Sequence, residues 1–352
     1  MSSVTATSAL RGASLRGATL PRWAPAATIV GSAAFCLLLF AITPLRGTAD
    51  YIAVAVLVTL VAITGLSWAV EGRRKAVDRI ATSGTLLALL LTLLPLGFVI
   101  GYVTDRGAKR FSGHFLTSSM SGVGPLDAGG GISQAIIGTL EQVLIASVIA
   151  VPLGLMVAIY ITEYGGSRFS NAVRFLIDVM TGIPSIVAGL FVLAFWLIEL
   201  GHGFSGLAGA LALSILELPI VVRTSEQMIQ LVPNALREAS YALGIPKWRT
   251  IMRVVLPTAS TGIVTGIMLA IARVIGETAP VLLVIGNNNF VNSNAFHGAQ
   301  ASIGVFIYQG ALSSSNFDVD RAWAAALTLI LIVLVLYIAA RLLTRRSKLG
   351  GR

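Results

Sequence analysis

A chain of 352 residues that is 56% hydrophobic and only 11% charged is not an ordinary soluble domain, in which about a quarter of residues carry charge. Its formal net charge of +10 would suit acidic partners. The basic residues are scattered over separate short segments, however, which favours anionic lipid headgroups and excludes a nucleic-acid surface.

Residues 1–25, rich in Ser, Ala, Thr and Arg, read as a disordered cytoplasmic N-terminus. Apolar stretches then fall at 26–43, 51–71, 81–103, 136–162, 176–198, 204–222, 258–285 and 322–343. Each is long enough to cross about 30 Å of hydrocarbon, the first being the shortest. This predicts an all-α polytopic membrane protein of about eight transmembrane helices, followed by a basic tail over 344–352. With both termini inside, the inner segments, together with Arg341 at the inner end of the last span, hold 19 of the 25 Lys and Arg residues. The outer loops hold Arg46, Arg106, Lys109, Arg110 and Arg321, and Arg273 alone lies deep within a span. The positive-inside rule therefore places the N and C termini in the cytoplasm. Cys36, the single cysteine, admits no internal disulfide and reads as a packing residue.

Two outer segments stand out. Asp127-Ala-Gly-Gly-Gly131 precedes the fourth span, where helix-start amides could face an anion, although ordinary turn chemistry is the simpler reading. Segment 286–320 opens Gly286-Asn287-Asn288-Asn289 and reads as a solvated loop, a possible contact for a solute-binding protein.

Charges inside spans are costly and face a partner or a water-filled path. Arg273 lies 15 residues beyond Thr258 (273 − 258), roughly 22 Å along its span. Glu277 follows at i+4 and is expected to pair with it. Arg223 and Glu226 form a second pair at i+3, where the sixth span leaves the membrane. Glu141 and Asp178 read as structural, and Glu217, near Pro219, as satisfying local backbone or an arginine. Pro152 and Pro184 are candidate helix breaks. His202 has no cysteine or carboxylate cluster around it, so no metal site is expected.

The most distinctive segment is Glu238–Pro257, EASYALGIPKWRTIMRVVLP. Asn234 to Leu243 is expected to form one helical piece, begun after Pro233 and ended at Gly244. Ile245-Pro246 turns the chain, and Lys247 to Leu256 forms a second piece before Pro257. Two amphipathic pieces broken by glycine and proline suit docking on something outside the bilayer, the alternative being a helix lying on the membrane surface. No G-x-x-x-x-G-K-[ST] phosphate loop occurs, so any ATP is hydrolysed by another polypeptide.

The spacing Glu238-Ala239-Ser240, Gly244, Val254, Leu256-Pro257 resembles the cytoplasmic coupling loop of ABC-importer permeases, E-A-A-x3-G-x9-I-x-L-P, with serine for the second alanine and valine for isoleucine. Together with Gly182-Ile-Pro184-Ser185-Ile-Val-Ala-Gly189-Leu-Phe191, Glu217-Leu-Pro219, Arg223, Glu226 and Arg273-x3-Glu277-Thr-Ala-Pro280, it resembles the PstA-type permeases of phosphate ABC importers. The resemblance covers roughly 81–343 and implies a type I permease core of six spans, with 26–80 as two additional N-terminal helices. It implies that Glu238, Ala239, Gly244, Leu256 and Pro257, within the inner loop 223–257, engage an ATPase. It also implies that Arg223, Glu226 and Arg273 serve phosphate passage, to which geometry adds Glu277. The partners implied are a homologous PstC-like permease, a PstB-like ATPase dimer that uses the ATP, and a PstS-like phosphate-binding protein in a bacterial plasma membrane. The rival readings are a PstC-like sister subunit, a sulfate or molybdate permease, a secondary transporter or channel, and a membrane-embedded enzyme.

Overall fold

The computed structural model describes residues 19–21, 23–42 and 48–349. Most of the terminal segments expected over 1–25 and 344–352 fall outside the described residues or lack described side chains, as does Arg46. All regular elements among the described residues are helical. Six helices are long and apolar enough to cross a membrane, and a bent pair makes a seventh. The first expected span is the shorter apolar helix Ala24–Leu39.

The chain divides into two compact units, Met1–Ile100 and Gly101–Arg352. In the first, α1 (Ala24–Ile42) and α2 (Thr48–Glu71) pack on each other and α3 (Arg73–Ala108) follows after Gly72. Gly72 adopts a φ of 86°, a left-handed turn for which glycine carries no steric penalty. Glu71 closes the unit: its carboxylate accepts the Leu20 amide at 2.8 Å, the Ser67 hydroxyl at 2.8 Å and Arg79 Nε at 3.0 Å. Cys36 is buried, as a packing residue should be.

The second unit is built around α5 (Ser133–Glu163) and α8 (Gly206–Gln230), after the short α4 (Gly113–Thr117). Lipid tails are as apolar as leucine, so membrane helices gain by close approach of small residues rather than by burial from water. Ala208, Ala210 and Ala212 on α8 are fully enclosed, and Gly154 on α5 meets Val221. Pro152 and Pro219 stay inside α5 and α8 without ending them.

Three expectations need correction. The fifth span is not one helix. Helix α6 (Arg168–Thr181) ends at Gly182, and α7 (Ser185–Val192), continued by a π-helical stretch Leu193–Glu199, leaves it at 103°. Ile183 precedes a proline and so avoids helical dihedrals, while Pro184 has no amide to continue the ladder. The seventh span also stops early, its helix ending at Val274 instead of running on to 285. Segment 286–320 is not simply a solvated loop. It follows the one-turn α12 (Ala279–Leu282) and contains the apolar α13 (Ile303–Leu312), whose Ile303, Gly304 and Val305 are buried, before α14 (Asn316–Leu349).

That segment is held by amides. Gln300, 1% exposed, accepts from Gln142 Nε2 at 2.9 Å and donates to Glu141 and to the Asn292 carbonyl, while Ile303 N donates to Thr139 Oγ1 at 2.8 Å. Glycine makes this approach possible: a β-carbon on Gly138 would run into the Ala301 carbonyl oxygen. Gly138→Val should therefore cost about 1–3 kcal/mol by overpacking and lower the unfolding midpoint in detergent by several degrees. Gly97→Ala, with nothing within 4 Å, should leave the midpoint unchanged or raise it.

Candidate functional site

The loop expected to face inward, 223–257, contains a helical hairpin with a closed interior. Helix α9 (Asn234–Ala242) begins directly after Pro233, and α10 (Lys247–Thr250) directly after Pro246. Gly244 between them has a φ of 74° and donates its amide to Tyr241 O at 2.9 Å, while Ile245 N reaches Ser240 O at 3.2 Å. Any β-carbon there would strain the left-handed turn. Ser240 and Thr250 are both buried, and their hydroxyls meet at 2.8 Å across the hairpin. The serine that departs from the alanine pattern thus fastens one arm to the other. The opposite surface is open: Glu238, Ala239 and Gly244 are exposed beside Tyr241, Leu243 (79% exposed) and Trp248 (58%).

The second arm does not stop before Pro257. From α10 the helix runs through a π-helical turn, Ile251–Val255, into α11 (Leu256–Val274), with Leu256 half-buried and Pro257 exposed. The proline is tolerated because the wide turn rearranges the ladder: Leu256 N donates five residues back to Ile251 O, and the Thr258 hydroxyl supplies Val254 O at 2.6 Å. The hairpin is therefore continuous with a membrane span.

Its other root is electrostatic. Arg237 on α9 donates to Glu163 Oε1, at the end of α5, from Nη2 at 2.8 Å and Nε at 3.1 Å. The same guanidinium serves the carbonyls of Val232 (2.6 Å) and Ile229 (3.0 Å), at and just beyond the end of α8. Lys247 donates to the Glu163 carbonyl. One side chain adds a donor to two carbonyls at the helix end, Ile229 O also accepting Val232 N at 3.2 Å, and pairs a buried carboxylate.

Beside this root lies a cluster built from α6 and α8. Arg223 and Glu226 do pair, at 2.9 Å, as their spacing predicts. Glu226 also accepts Arg174 at 3.0 Å and Gln230 at 3.2 Å, and Arg223 also pairs with Asp178. Arg174 and Asp178 stand at i and i+4, on one face of α6.

The Arg273–Glu277 pair is not formed. Helix α11 ends at Val274, and Glu277 N turns back onto Val274 O at 3.0 Å, so the i+4 geometry is lost before Glu277. Arg273 is exposed on the chain and Glu277 half-buried. The break has a tertiary cause as well: Gly189 on α7 packs against the Pro280 backbone, where a β-carbon would stand 2.6 Å away.

The remaining candidates resolve as structure. The fully buried Glu217 accepts from Ser147 on α5 at 2.9 Å, in place of local backbone or an arginine, and its Oε2 is unpartnered. In the turn over 127–131, carbonyls rather than amides point to charge. Arg321 Nη1 donates to Gly129 O at 2.7 Å and Asp127 O at 3.2 Å, and Arg110 Nη2 donates to Gly129 O at 2.8 Å. Burial, then the nearby Arg321 charge, push Arg110 below its ordinary value. The turn thus receives cations of the chain itself and offers no anion nest. His202 stacks on Trp196.

Sequence reasoning missed Glu163, Arg237 and Arg174. Glu163 and Arg174 stood out only as charges beside apolar stretches and Arg237 only as one cation of the 223–257 loop, with no local spacing to couple them.

A hairpin continuous with one apolar helix and bonded to the ends of two others, in a chain of several such helices, defines a multi-pass membrane component. The family model "Binding-protein-dependent transport system inner membrane component" matches residues 150–349. Within that class the chain belongs to the PstA permease family. It is 47% identical over 283 residues to the phosphate transport system permease protein PstA 1 of Mycobacterium tuberculosis, covering 79% of this chain and 92% of that one. It is 40% identical over 276 residues to the PstA of Yersinia pestis, covering 78% and 92%. The solved structure of a bacterial ABC transporter involved in alginate import shares the fold, with a TM-score of 0.55 and 18% identity over 78% of this chain and 99% of that one.

Removing Arg237 strands a buried carboxylate, so Arg237→Ala should destabilise the protein by about 3 kcal/mol, read as a lowered unfolding midpoint. Glu163→Gln with Arg237→Gln should cost less than the two single changes added together.

Proposed function

We propose that the chain is the permease subunit of an ATP-driven importer of inorganic phosphate in a bacterial plasma membrane. It forms half of the translocation path and pairs with a homologous PstC-like permease. A PstB-like ATPase dimer hydrolyses the ATP, and a PstS-like binding protein delivers the anion. The single observation that supports this best is the inner hairpin. Its exposed face of Leu243, Trp248 and Tyr241 beside Glu238 offers a separate subunit a docking surface, and its rear face is bonded to the spans. Residues Glu238, Ala239, Gly244, Leu256 and Pro257 belong to that docking element. The distribution of lysine and arginine supports an orientation with both termini and this hairpin in the cytoplasm.

Movement imposed on the hairpin reaches α11 through unbroken helix and α5 and α8 through Arg237. The path residues in this reading are Arg223, Glu226, Arg273 and Glu277. Arg273, exposed and without an acidic partner among the described residues, is a planar donor fork turned to meet an oxyanion on the face toward the second permease. The two helices over 26–80 precede the permease core, 81–343, as an addition.

Gly244→Asp and Glu238→Lys should insert in the membrane normally but lose the ATPase on purification, or lose phosphate-stimulated ATP hydrolysis. Normal stimulation in both would overturn the docking role. Arg273→Gln should reduce phosphate uptake at least tenfold while the complex still assembles, and unimpaired uptake would remove this residue from the path.

A further inference from the structure

The two carboxylates of the α6–α8 cluster are held very differently. Glu226 is 6% exposed at its side chain and saturated. Its Oε1 accepts Arg174 Nε at 3.2 Å, Arg174 Nη2 at 3.0 Å and Gln230 Nε2 at 3.2 Å, and its Oε2 accepts Arg223 Nη1 at 2.9 Å. Asp178 is 53% exposed, and its ion pair among the described residues is with Arg223 alone. One acid is fixed between two arginines, and the other rests on the outer side of one of them.

Charge follows from this. Two guanidinium groups and two carboxylates sum to zero, and withdrawal of Asp178 leaves +1. Withdrawal is cheap, because a half-exposed carboxylate returns to water and surface pairs contribute little. Withdrawal of Glu226 would strand a buried charge and four hydrogen bonds. An incoming oxyanion can therefore take only the place that Asp178 occupies. A carboxylate and a phosphate present equivalent acceptor oxygens to a guanidinium fork.

We infer that Asp178 is a built-in stand-in for the transported anion: it occupies Arg223 when the inner mouth is empty, yields to a tetrahedral oxyanion on Arg223, and returns to expel it. The inference rests on Arg223 lying in the path. It assigns Asp178, from α6, to the release of substrate, with Arg174 holding Glu226 in place. A conducting site must bind well enough to admit an ion and weakly enough to let it go, and a tethered competitor supplies the second requirement.

The test uses the assembled importer in vesicles of anionic lipid, with inorganic phosphate added on the ATPase side and transport-coupled ATP hydrolysis measured. Asp178→Asn leaves a permanent +1 site, so the phosphate concentration giving half-inhibition should fall about tenfold, with Asp178→Ser shifting it the same way. Asp178→Glu should restore the native value, which a merely structural role for this side chain would not require. Unchanged half-inhibition in both neutral variants overturns the inference. If Arg223→Gln abolishes uptake while the neutral variants keep native inhibition, only the role of Asp178 fails. If Arg223→Gln transports normally, the path reading falls and this inference with it.

Discussion

A single guanidinium ties three elements of this subunit together. Arg237 sits on the inner hairpin, pairs with Glu163 at the end of α5 and caps the carbonyls of Ile229 and Val232 at the end of α8. A hairpin on a flexible tether would move independently of the helices it leaves. Here a charge-assisted network joins it directly to the ends of two of them. The unbroken helix from Lys247 to Val274 performs the same service for α11, and the Ser240–Thr250 contact keeps the two arms acting as one body.

The bilayer imposes the second constraint, since every backbone group in hydrocarbon must find a partner within the protein. The breaks at Gly182–Pro184 and at Gly276–Pro280 would be prohibitive facing lipid. The second is met within the chain, where Gly189 of α7 admits the Pro280 backbone. The segment over 286–302 is likewise retained by amide side chains of Gln142 and Gln300 and by the clearance at Gly138 and Gly206. Irregular backbone at these positions leaves Arg273 at a helix end and exposed, instead of neutralised by the next turn of its own helix.

Much of this was legible in the residues. Apolar run lengths indicated the spans, and Pro233, Gly244 and Pro246 marked the limits of α9 and the start of α10, because proline and glycine act through the backbone of their own residue. The pair Arg223–Glu226 followed from helical spacing. The bend after α6 could be suspected from Pro184, although its angle of 103° could not. The π-helical turn that lets Pro257 pass left no local pattern, and the apolar run of α13, Ile303–Leu312, is too short to stand out as a span.

By itself the sequence determined that the chain is an all-helical membrane protein with a helical hairpin between two spans, since transfer into hydrocarbon and dihedral preference are properties of each residue and its near neighbours. Only the tertiary structure decided which charges meet. Glu226 finds Arg174 across 52 residues and Arg237 finds Glu163 across 74, while Arg273 and Glu277, four residues apart, do not pair. Electrostatic pairing depends on distance in space, and that distance is set by which helices pack together and where each one ends.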